Sequence, residues 1–133
     1  MGTFSLDISN WAKKAERNMH AAIRQTAFDI FRRVILKTPV LTGRLRANWG
    51  VQVGSPWTGT VDGVDESGGP TIAAAQGKVL PWNCRGSIFL NNNLPYAGAI
   101  EYGHSKQHPA GMVRVTLEEF PHIVQEKARE VNK

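Results

Sequence analysis

From about residue 7 to residue 37 apolar side chains recur at three- and four-residue steps: Ile8, Ala12, Ala15, Met19, Ala22, Ile23, Thr26, Ile30 and Val34. That spacing is one face of a single α-helix. A helix of this span is about 45 Å long, which is long for a chain of 133 residues. Thr38-Pro39 ends it, because Pro lacks an N–H and restricts the residue before it. Lys13, Arg17, His20 and Arg24 form a second stripe that faces away from the apolar one. Further along, Phe28, Phe31 and Ile35 take over the sector of that basic stripe. The helix is thus amphipathic at its start and apolar on two sides near its end. One apolar side is expected to pack on a sheet. The other needs a cover from this chain or from a neighbouring subunit, which makes Phe28, Phe31 and Ile35 candidate oligomer-interface residues.

After the helix, Thr42 can cap a short helical turn carrying Arg44, Leu45 and Asn48. Trp49 to Val53 alternates and reads as a strand. Residues 54–70 are rich in Gly, include Pro56 and Pro70, and carry Asp62, Asp65 and Glu66; this is a long loop or an extended hairpin. Ile72 to Leu80 reads as a short helix between Pro70 and Pro81. Ser87 to Asn91 is a compact strand. Tyr96 to Tyr102 is one or two helical turns closed by Gly103. Val113, Val115 and Leu117 alternate with Arg114, Thr116 and Glu118, which predicts a strand from Met112. A last helix follows over about 120–132, with Pro121 in its first turn; the alternative is one kinked helix from 112 onward. The fold class is α+β: a long N-terminal helix on a small, mainly antiparallel sheet, with a Gly-rich loop and a C-terminal helix, forming one domain over 1–133.

The chain carries a net charge of +5, unevenly spread. Residues 1–50 hold nine Lys/Arg against Asp7, Glu16 and Asp29, whereas residues 51–133 hold seven against eight acids. The positive excess therefore lies in the first helix and the segment after it. Two explanations fit: a polyanion or acidic surface facing Lys13, Arg17 and Arg24, or a solvated basic face. No apolar run approaches the ~20 residues a membrane-spanning helix needs, and Met1-Gly2-Thr3-Phe4 begins no signal-peptide pattern. Cys84 is the one cysteine. It excludes an internal disulfide and argues against a cysteine-built zinc site; synthesis in a reducing cytoplasm is expected.

Glu101, His104 and His108 come nearest to a metal cluster, but Gly103 and Pro109 break the helix their spacing would need, and they read as loop and surface residues. Asp62, Asp65 and Glu66 lack the alternating oxygen ligands of a calcium loop and read as a solvated acidic loop. The Gly-rich stretch contains no phosphate-binding pattern, and no nucleophile elbow is present. No cofactor, metal or catalytic residue is expected, and the chain reads as a non-enzyme. The aromatic residues Trp11, Trp49, Trp57, Trp82, Tyr96 and Tyr102 fit packing or base stacking. Trp49 reads as core, and Trp57 as the candidate anchor between subunits.

Two segments, Thr38 to Trp49 and Asn92 to Val115, resemble in order and spacing the head–tail connector, neck or tail-completion proteins of long-tailed bacteriophages, a group related to the Z-like minor tail proteins of lambdoid phages. Thr42, Gly43, Arg44 and Leu45 match one element of that group. Tyr96, Ala97, Ile100, Glu101, Tyr102 and Gly103 match a second. Ser105, Lys106, Gln107, Pro109, Ala110 and Gly111 match a third, with His108 where a small residue is usual. The resemblance implies a virion structural protein, made in the host cytoplasm and assembling as a homo-oligomeric ring, expected to be a hexamer, at the head–tail junction or upper tail. Its implied partners are other neck and tail proteins, with possible non-specific contact with DNA in the channel and no membrane. A tail terminator capping the tail tube is the alternative station; a non-specific nucleic-acid-binding module is the alternative function. An ion pair between Arg44 or Arg46 and Glu101 is expected to link the first two elements, and Pro109-Ala110-Gly111 to turn the chain into the strand at Met112.

Overall fold

The computed structural model of the chain describes residues 2–102 and 111–131, with side chains from Ile8 onward. Helix α1 spans Gly2–Lys37 and stops where expected. The Thr38 hydroxyl donates to the Val34 carbonyl at 2.8 Å, and Pro39 follows. The short α2, Arg44–Ala47, leads into β1, Trp49–Val53, and after a long loop comes α3, Gly69–Val79. Strand β2, Ile88–Asn92, pairs antiparallel with β1, with Trp49 opposite Asn92 and Val53 opposite Ile88. Then come α4, Ala97–Glu101, α5, Val113–Glu118, and α6, Phe120–Val131. The fold is α+β, with a long helix, a two-stranded antiparallel sheet and a C-terminal helix.

The core sits at the C-terminal end of α1. Val34, Leu45, Leu94, Ala97 and Met112 form its buried centre, with Trp49 and Leu90 of the sheet packed against it. The two apolar sides of α1 are covered by this same chain: α6 packs along one and α3 along the other, while α5 touches its end. Ile35 is fully buried, Phe31 nearly so, and Phe28 shares a cleft with Val79 and Leu80 of α3. The expected interface role is therefore corrected for Ile35, which is fully buried, whereas Phe31 lines the groove between α1 and α6 and Phe28 the cleft beside α3.

The strand expected from Met112 is also corrected. Residues Val113–Glu118 are helical, separated from α6 by Glu119 alone, so the kinked-helix alternative is the closer one. The reason lies upstream. The Glu101 carboxylate accepts the N–H groups of Met112, Val113 and Arg114 at 2.8, 2.9 and 2.9 Å, capping the helix start that a strand would not have. In that helix Met112 and Thr116 share the buried face.

Candidate functional site

The motif residues work as joints of the fold. Gly43 has φ +89°, and a Cβ there would meet the backbone of Asp65 at 2.8 Å. Its carbonyl accepts both the Ala47 and the Asp65 N–H, so α2 and the long loop are pinned at one point that glycine allows. Thr42 Oγ1 accepts the Arg44 N–H at 3.3 Å, and Leu45 enters the core. Arg44 is exposed. Arg46 donates to the carbonyls of Leu36, Thr38 and Glu66 at 3.0, 2.8 and 2.5 Å. Asn48, fully buried, donates to the Arg44 and Val61 carbonyls and accepts the Val61 N–H.

The expected pair between Arg44 or Arg46 and Glu101 is not formed. Arg46 is engaged by carbonyls, and Glu101 pairs with Arg114, whose Nε lies 3.3 Å from Oε1 and whose guanidinium stacks 4.8 Å from the centre of the Tyr102 ring. Burial would push the Glu101 carboxyl up, but its three backbone donors and Arg114 outweigh that and hold it below the usual carboxylate value. Gly111 (φ +97°) lets the chain pass so close that a Cβ would fall 2.6 Å from Glu101 Oε1. Tyr96 is partly exposed. Gly103, Pro109, His104 and His108 lie outside the described residues. Among the described residues no group of three or more His, Cys, Asp or Glu is placed to hold a metal ion, and no helix is long and apolar enough to cross a membrane.

Asp65 overturns the expectation of a uniformly solvated acidic loop. It is buried, and its oxygens accept the Gly68 and Thr71 N–H groups at 2.7 and 3.0 Å. Burial opposes its charge, yet Thr71, Gly68 and Ser67 together hold its carboxyl below the ordinary aspartate value. The signal for this cap was present in the sequence: an acid shortly before a Pro in the first turn of a helix. Asp62 and Glu66 are exposed as expected.

Trp57 is seated within its own chain. A Cβ on Gly50 would lie 2.1 Å from its ring, and Asn91 holds its backbone N–H and carbonyl at 3.0 and 2.6 Å. Its ring is half-buried, and the intersubunit role expected for it stays an expectation. Arg24 is likewise engaged, donating to the Trp82 carbonyl at 3.1 Å and reaching Cys84 Sγ at 3.8 Å. Lys13, Lys14 and Arg17 stay exposed.

Among the described residues, one continuous apolar face open to a partner lies on α1. Side chains 8–17 are all exposed, so this stretch of the helix stands clear of the body as an arm. Ile8, Trp11 and Met19 are 50%, 71% and 59% exposed. Where the arm meets the body, this face becomes the floor of an apolar groove of about 560 Å³, with Ile23, Ala27 and Ile30 below and Phe120, Val124 and Ala128 of α6 as one wall. A bare amphipathic arm is marginal in water, and an apolar face of this extent marks an interaction surface. Comparison of the chain with family models, curated proteins and solved structures finds no match.

Proposed function

We propose that the chain is a structural protein of a tailed-phage particle, assembling as a ring at the head–tail junction or upper end of the tail and helping to complete or join it. The observation that carries this reading is the apolar face of α1, exposed along the arm and continued in the groove beside α6. Such a face serves association, and the motif residues support the same reading: Gly43, Arg46, Glu101 and Gly111 hold backbone segments together and present no reactive group to solvent. The chain on this account has no catalytic role. The test is electron microscopy of particles produced with its gene silenced. Separate heads and tails, or unfinished tails, are expected; intact infectious particles would sink the proposal.

One observation favours a second reading, a non-specific nucleic-acid-binding module. Lys13, Lys14 and Arg17 are exposed on the arm, away from its apolar face. Electrostatic DNA binding through three cations would weaken steeply with salt, by a slope of about −3 in log–log form. Titration of labelled duplex DNA from low to physiological salt decides it.

A further inference from the structure

The arm and the groove lie on the same side of one straight helix, because residues at three- and four-residue steps share a face. We propose that a second copy of this chain covers both, its α1 running antiparallel to this one with each arm lying in the other's groove. A partner that filled the groove alone would leave the arm in water. A two-fold-related copy buries both patches in a single contact.

The sequence of the face fits that symmetry. Ile8 and Ile30, Ala12 and Thr26, and Ala15 and Ile23 are equally distant from Met19. A two-fold axis at Met19 therefore lays the stripe on itself. It sets Ile23 beside the partner's Ala15, so a large side chain meets a small one, as close packing requires. The stripe from Ile8 to Ile30 is about 33 Å long on a helix about 10 Å thick, so covering half its circumference removes about 500 Å² from each copy. The total of about 1,000 Å² is at the small end of specific interfaces. Lys13 and Arg17 point away from the stripe and stay in water, and Glu16, three residues before Met19, lies at its edge, where its carboxylate must keep access to water.

The pairing stands on these observations alone. Where the proposed function enters is the purpose of the pair: a ring between a head and a tail is polar and a two-fold pair is not, so the pair is the stored form of the free chain.

Disulfide trapping tests it, in a Cys84→Ser background to remove the native thiol. Met19→Cys is expected to give mostly covalent dimer under mild oxidation, and so is the double variant Ala15→Cys/Ile23→Cys. Arg17→Cys, on the opposite side, is expected to stay monomeric on the same gel. These positions are exposed or line the groove, and unchanged circular dichroism establishes that each variant folds. No link at Met19, or equal linking at Arg17, overturns the pairing. A chain that is oligomeric by native mass but unlinked at Met19 overturns the pairing and leaves the proposed function standing. Linking at Met19 in a chain whose loss leaves phage particles intact supports the pairing and removes the function.

Discussion

At Glu101 one carboxylate receives three backbone N–H groups and a guanidinium; at Asp65 another receives two backbone N–H groups. Each satisfies donors that a helix start leaves unpaired. Glu101→Gln keeps the shape but replaces one acceptor oxygen with a donor facing backbone N–H groups. A loss of about 2 kcal/mol is expected by urea denaturation. Both carboxyls are held below their ordinary values of 4.5 and 3.8. Their stabilisation is therefore complete above the unfolded values and is lost as pH falls through the lower folded values. The urea midpoint is expected to hold from pH 7 to about 5 and to fall below about pH 4, and Glu101→Gln should flatten part of that fall. Two glycines supply a matched contrast. Gly43 and Gly54 both have positive φ, but a Cβ at Gly43 meets the Asp65 backbone whereas one at Gly54 meets nothing within 4 Å. Gly54→Ala should cost about 1 kcal/mol from conformation alone, and Gly43→Ala distinctly more.

The elements that declared themselves did so through local pattern. Alternation marked Trp49–Val53, Pro70 and Pro81 fenced α3, and Thr38-Pro39 closed α1. Those that did not were decided by partners distant in sequence. Val113 to Leu117 alternates like a strand, but the group that makes it a helix is Glu101, eleven residues before Met112. Asp65 looked like one more loop acid because it stands between Asp62 and Glu66, and only Pro70 after it hints at the backbone N–H groups it binds. Phe31 and Ile35 looked free for a neighbour because nothing in their spacing tells which later helix covers them. The same distance effect governs how α1 is held. Lys37 Nζ lies 2.6 Å from Glu119 Oε1, and Arg33 pairs with the other Glu119 oxygen and with Asp29. Lys37, then Arg33, hold the Glu119 carboxyl below its usual value against its burial. Arg46 joins three segments through their carbonyls, and its Nε is buried without an acceptor. Arg46→Lys, which offers a single point charge in place of a planar fork, should cost about 2 kcal/mol, read from the thermal midpoint.

At the scale of the molecule the chain is a body of packed helices and one two-stranded sheet from which part of a long helix projects. The body accounts for the motif residues Gly43, Leu45, Arg46, Glu101 and Gly111, which hold it together. The arm and groove are left over, apolar and continuous, and the arm's cations lie behind them. The candidate site was thus half legible: the amphipathic stripe of α1 is plain in the sequence, but the groove needs α6, which only the fold brings alongside. Trp11→Asp places a charge in the middle of the exposed face without touching the core. It should abolish association and leave the body's urea midpoint unchanged once compared at concentrations where both proteins are monomeric. The measurement that bears most directly on the account is the native mass of the purified chain at moderate salt, with and without DNA, beside Trp11→Asp. The account predicts an oligomer of even subunit number that forms without DNA and falls to monomer in the variant. A monomer whose mass shifts only when DNA is added would contradict it.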